Sequence, residues 1–197
     1  MKKLLLSSTF FFGLLSFQAH ADYMPQQKPS TAALAAQYAH MNIADLTKAA
    51  KAGQPAAQFY LATRYQSGNG VAKDLKEAFS LFKSAADQGI SAAQLNVGRM
   101  YADGIGVSKN EASARQYFEK AASHGDNRAS FNLAVMEEQK KNYIGAYQWY
   151  ELSTRDGMLD NKVINMSETK KTALAANLTP EQIRTARDRA DRWIQTQ

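Results

Sequence analysis

The 197 residues include no cysteine, which excludes a disulfide framework, a thiolate metal site and a lipidated N-terminal cysteine. The formal net charge is +6, too mild to point to nucleic acid without a clustered basic patch, so no nucleic-acid partner is expected. At the N-terminus, Met1-Lys2-Lys3, an apolar run from Leu4 to Phe17 and Ala19-His20-Ala21 have the three parts of a secretory signal peptide. Cleavage after Ala21 is expected, lowering the net charge to +4 by loss of Lys2 and Lys3. An uncleaved anchor is the competing reading, but the run is short of the about 20 residues that span a bilayer. No stable membrane insertion is expected once residues 1–21 are gone. The lysine-led leader and the lack of cysteines favour a bacterial periplasmic, or secreted, location.

Residues 22–30 hold two of the four prolines and little that packs, and read as a flexible leader. Order is expected from near Thr31, where 31–52 form a degenerate repeat. Leu46, Ala49, Ala50 and Gly53 stand 36 positions before Phe82, Ala85, Ala86 and Gly89. Asn42 is a candidate N-cap between its two helices, the first carrying Ala33, Leu34 and Tyr38.

Residues 53–88 and 89–124 are two copies of one unit. At a spacing of 36, Ala57 pairs with Ala93, Leu61 with Val97, Tyr65 with Tyr101, Gly68 with Gly104, Gly70 with Gly106, Val71 with Val107, Ala78 with Ala114 and Phe82 with Phe118. A repeat of this length signals stacked units, none of which buries its apolar face alone. Within a unit, Ala57, Leu61, Ala62 and Tyr65, then Ala78, Phe82, Ala85 and Ala86, recur at three- and four-residue steps, predicting two helices and a turn. Gly-x-Gly-Val ends the first helix where positive φ is needed, with Val71 and Val107 folding back as plugs. Asp74 with Glu77 predicts an acidic capping box, and Asn110 is the matching N-cap. Gly89, Gly125 and Gly157 close the second helices.

The third unit, 125–156, keeps Gly125, Ala129, Leu133 and Ala134 but has Glu137 in place of the tyrosine and lacks the glycine loop. Ala146 and Tyr150 answer to Ala114 and Phe118 at a spacing of 32, which predicts a short turn near Asn142. Degeneration near the end of an array and a functional change of one face are both open readings. From 157 to 197 a C-terminal helical cap is expected. A weak stripe runs through Val163, Met166, Ala173 and Leu174. Thr179-Pro180-Glu181-Gln182 then opens a final helix whose apolar face is Ile183, Ala186, Ala190, Trp193 and Ile194. Its outward arginines, interleaved with Asp188 and Asp191, read as a solvated face rather than an anionic-surface site.

Ala-Gln-Phe-x-Leu-Ala-x-x-Tyr (57–65), Gly-x-Gly-Val, Ala-x-x-x-Phe-x-x-Ala-Ala and the closing glycine resemble the Sel-one-like repeat family, a relative of the tetratricopeptide repeats. The resemblance covers 53–157 and implies an all-α fold, a right-handed α-solenoid that scaffolds other proteins, often in bacterial envelopes or at host interfaces. A cysteine-rich branch resembling this family has been assigned activity on β-lactams or cell wall; the missing cysteines and nucleophile motifs count against that activity here.

No catalytic, cofactor or metal residue emerges from the sequence. Gly68-Asn69-Gly70 and Gly104-Ile105-Gly106 follow helices rather than strands and lack the Lys-Ser or Lys-Thr of a phosphate loop. His40 and His124 have no ligand spacing, no Gly-x-Ser-x-Gly or Ser-x-x-Lys occurs, and Glu137 and Glu138 point about 100° apart on a helix. A protein partner, in the envelope, is the expectation. On each first helix the positions opposite Ala57, Leu61 and Tyr65 line the concave groove of a solenoid. They include Phe59, Thr63 and Gln66, then Leu95 and Arg99, then Arg128, Phe131, Val135 and Glu138. The bulky row Phe59, Leu95 and Phe131 has two readings, packing within the array or partner binding; Thr63, Arg99, Arg128, Val135 and Glu138 are the specificity candidates.

Overall fold

A computed structural model of the chain describes residues 31–155 and 160–197; the expected signal peptide, the leader and Gly157 lie outside the described residues. The chain divides into two units, Met1–Leu34 and Ala35–Gln197. Of the first, the described part is the opening of a helix, and the second holds the packed array.

Ten helices and no strand occur among the described residues. The first four are α1 (Thr31–His40), α2 (Ile43–Lys51), α3 (Pro55–Ser67) and α4 (Leu75–Asp87). They are followed by α5 (Ser91–Asp103), α6 (Glu111–Ser123), α7 (Asn127–Gln139) and α8 (Tyr143–Arg155), then α9 (Asn161–Ala175) and α10 (Pro180–Gln195). α3 packs on α4, α5 on α6 and α7 on α8, and the pairs are joined by α4 against α5 and α6 against α7. In its described residues the unit Ala35–Gln197 is an all-α solenoid of helix-turn-helix pairs, as the repeat predicts.

The register of the repeat is visible in the core. Ala57, Ala78, Ala93, Ala114, Ala129 and Ala146 are fully buried, so the backbones of paired helices approach across methyl groups. Phe82, Phe118 and Tyr150 occupy equivalent slots on the second helices, at 0%, 1% and 0% exposure. Phe59 meets Phe82 edge-on at 5.6 Å, and Phe131 meets Tyr150 in the same way at 5.4 Å, so the 32-residue spacing of the third unit is structural as well as sequential. Gly98 stands where the other units have Ala62 and Ala134 because a Cβ there would lie 2.6 Å from the Phe118 ring.

Each first helix ends through the same backbone contact. Tyr65 O accepts the Asp74 N–H at 3.0 Å, Tyr101 O accepts that of Asn110 at 2.9 Å, and Glu137 O accepts that of Asn142 at 2.9 Å. Connections 68–74 and 104–110 are therefore closed like 140–142, which is four residues shorter. In the long form Gly104 takes φ +70 and caps α5 through Met100 O. Val107 packs on the core below, and Val71 is half-buried. In the short form Lys141 turns at φ +58, and Asn142 Oδ1 accepts from Gly145 N at 3.2 Å, capping α8.

Three sequence expectations need correction. Asp74 caps α4 by accepting from Lys76 N and Glu77 N, but its own N–H is taken by Tyr65 O, so the reciprocal half of a capping box with Glu77 is not made. On α9, Leu174 of the expected stripe is buried and Val163 half-buried, but Met166 is 43% exposed and Ala173 is exposed, and Ser167 and Lys171 face inward with Leu174. The contact there is polar: the Ser153 and Ser167 hydroxyls are 2.6 Å apart and Lys171 reaches Glu151 at 2.9 Å, so an apolar stripe does not identify it. On α10, Ile194 is 40% exposed, while Ala186 and Ala190 are buried against α8 and Trp193 lies edge-on to Trp149 at 4.8 Å. The full capping box at Thr179 and Gln182 is present.

Candidate protein-interaction surface

The nine residues singled out on the first helices separate into internal and accessible groups. Leu95 is 2% exposed in the same cluster as Phe118 and presents no surface. Phe59 and Phe131 are half-buried on Phe82 and Tyr150, so all three bulky positions make the contacts of the packing reading.

Arg128 and Glu138 are likewise engaged within the chain. Asp126, fully buried, caps α7 by accepting from Arg128 N at 3.1 Å. The Arg128 guanidinium closes on the same carboxylate, with Nε at 2.9 Å and Nη2 at 2.7 Å. That bidentate pairing holds the guanidinium proton more tightly than usual. Glu138 accepts from Tyr150 Oη at 2.8 Å and from Lys170 Nζ at 3.0 Å, joining α7 to α8 and α9. Burial pushes its carboxyl up, but the hydrogen bonds from Tyr150 and Lys170 and the lysine charge outweigh this and hold it below the usual glutamate range. Glu137 points elsewhere, to Arg115 on α6 and to Asn142 Nδ2 at 2.6 Å. The two neighbouring carboxylates thus share no site.

Four candidates remain, and three of them, Thr63, Arg99 and Val135, stand on successive first helices 36 residues apart. Thr63 is exposed, its hydroxyl donating to Phe59 O at 3.0 Å on its own helix. Arg99 is exposed and forms no side-chain hydrogen bond or ion pair among the described residues. Val135 is half-buried. Gln66, also half-buried, lies one turn beyond Thr63.

Val135 also borders a crevice of about 360 Å³ between the second and third units. Its other walls include Asp103 at the end of α5, Glu111 at the start of α6, and Gln139 and Lys140 at the end of α7, with Phe118 at the bottom. Sequence reasoning did not assemble these residues, because they come from three elements brought together by stacking. The signal in the sequence was the missing glycine loop beside Asn142. Among the described residues there is no group of three His, Asp or Glu side chains placed to hold a metal ion, and no helix long and apolar enough to cross a membrane.

Comparison with known proteins bears on this arrangement directly. A family model described as the Sel1 repeat matches residues 55–90, 91–126 and 128–158, together more than half of the chain. Among solved structures, a Sel1 repeat protein from Oxalobacter formigenes is 31% identical with a TM-score of 0.55, over 64% of this chain and 97% of that one. A protective antigen present in uropathogenic Escherichia coli strains and displaying an SLR fold is 25% identical, also with a TM-score of 0.55, over 76% of this chain. The match spans 40% of that antigen's length. No curated protein matches. Repeats of this kind are protein–protein interaction modules, typically without catalysis, and the chain belongs to the Sel1 repeat family.

Proposed function

We propose that this chain is a non-catalytic scaffold of the bacterial envelope, exported to the periplasm or secreted, which holds a protein partner along its row of first helices. The observation that supports this reading is the row Thr63, Arg99 and Val135, exposed at the first two positions and half-buried at the third. The three positions recur at the repeat spacing, yet carry three different chemistries. The small residues at the helix crossings keep their type from unit to unit, as Ala57, Ala93 and Ala129 do; a surface row that varies is free to encode a partner.

A photo-crosslinker at position 99, used in cells, tests the reading by capturing the partner. Arg99→Glu and Val135→Asp are expected to weaken capture while circular dichroism shows the fold intact. Unchanged capture by both variants would remove the site from this row. Export is tested by the mass of the periplasmic protein, expected to begin at Asp22. Nitrocefin is expected to be left unhydrolysed by the purified chain; turnover would sink the non-catalytic reading. A second reading, a secreted factor that meets a host, draws support from the likeness to a protective antigen.

A further inference from the structure

The glycine loops seat each unit on the one before it. Residues 104–107 run over the start of α4, where a Cβ on Gly106 would lie 2.1 Å from Leu75 O. Gly106 also has φ +70 and is followed by Val107, packed on the core. Residues 68–71 do the same one unit earlier, with the Gly70 position 3.1 Å from Ile43 Cγ1 at the start of α2. In both places the first residue of a second helix is covered by a tight turn from the following unit.

At the next step this cover is missing. Glu111 opens α6 as Leu75 opens α4, 36 residues on, but connection 140–142 is too short to reach back over it. Glu111 and Ala112 are exposed, and the crevice lies where the third loop would have sat. Phe118 and Val135 supply an apolar base, while Asp103 and Glu111 face Lys109 and Lys140 around the rim. Two charges of each sign give no net preference for a charged occupant.

We propose that this crevice is a docking site for a tight glycine turn of a protein partner, which takes the place that residues 104–107 take one unit earlier. The occupant is an uncharged segment whose backbone crosses the start of α6 at a glycine in the left-handed region, next to a β-branched aliphatic residue that enters over Phe118. The requirement for glycine follows from Gly106, where the two nearest atoms, Leu75 O and C, are backbone and cannot yield. This site rests on the reading of the chain as an interaction scaffold; it shares Val135 with the row of first helices but not Thr63 or Arg99.

The test uses the full chain and a fluorescent pentapeptide with blocked ends and the sequence of residues 104–108, Gly-Ile-Gly-Val-Ser. Saturable binding is expected by anisotropy. It is expected to be about tenfold weaker for the peptide whose second glycine is replaced by alanine. Gln139→Trp, at an exposed helix end, plugs the crevice and is expected to abolish binding; Lys140→Trp, also exposed and on the crevice wall, gives a second variant, and circular dichroism checks both folds. Arg99→Glu is expected to leave peptide binding unchanged while weakening capture from position 99, so either proposal fails without the other. Absence of saturable binding, or binding indifferent to both Gln139→Trp and the alanine peptide, would overturn the site. Peptide-competed dimerisation of the chain would assign the crevice to a second copy and overturn the partner assignment.

Discussion

At the end of its first helix the second unit places Tyr101, and the third unit places Glu137 at the equivalent position. Tyr101 lies edge-on to Phe79 of the preceding unit at 5.1 Å and stacks near Tyr117 at 6.0 Å. Glu137 reaches Arg115 of the preceding unit and the Asn142 side chain. Arg115 stands 36 residues after Phe79, just as Glu137 stands 36 after Tyr101. An aromatic pair across one seam has become an ion pair across the next, at the same two positions. Both first helices still close by a carbonyl that accepts the N–H of the following N-cap. The backbone closure is therefore the constant element of the repeat, while the side-chain pair and the loop length vary together. The long loop covers an apolar seam with a valine, whereas the short turn leaves a crevice whose rim is polar.

The continuity of the two seams is tested most severely at Phe118, which lies in the slot shared with Phe82 and Tyr150. Phe118→Ala is expected to destabilise the array by about 3–5 kcal/mol, because the ring is fully packed and sits directly on the Gly98 backbone. The measurement is thermal or denaturant unfolding against the exposed control Lys109→Ala. A loss no greater than that control would break the alignment of the units.

The exchange of an aromatic pair for an ion pair predicts coupling. Glu137→Tyr and Arg115→Phe are each expected to cost about 1.5–3 kcal/mol, since each strips one partner from a charge-assisted contact. The double variant, which rebuilds the second unit's pair in the third, is expected to recover about 0.5–3 kcal/mol relative to the sum. Strict additivity in the cycle would show that the two positions do not act as a pair.

The smallest expected effect separates the units by pH. The third unit has Glu138 and Tyr150 where the second has Ala102 and Phe118. Glu138 is held below its usual range, so its contribution is present above the unfolded glutamate value of about 4.3 and is lost as pH falls through the lower folded value. Tyr150 is pushed well above its usual range, first by burial and then by its bond to Glu138. Its contribution is full below about pH 10, the unfolded phenol value, and is lost as pH rises beyond that. Glu138→Gln is expected to flatten the acid limb of the stability profile by about 0.2–1 kcal/mol, less at high salt because the lysine partner is partly solvated. A profile identical to the parent's would remove the contact from the energetics.

Much of this molecule was legible in its sequence because the information is local and repeated. Helix positions follow from three- and four-residue spacing, the caps at Asn42, Asn110 and Thr179 from residues that satisfy free N–H groups, and the buried slots of Phe82, Phe118 and Tyr150 from internal alignment. The shortened turn at Asn142 was readable for the same reason. The candidate row was readable only as a helical face. Which of its members are accessible depends on what the neighbouring helices bring, so Leu95 is buried in a cluster that spans the second and third units and Glu138 is bound by a lysine 32 residues away. The inward face of α9 was read only at Leu174, because serine and lysine make the rest of it. Only the stacking decided where a missing loop leaves a crevice, since Lys140 belongs to the next unit and meets Asp103 and Glu111 through rigid packing of one unit on the other.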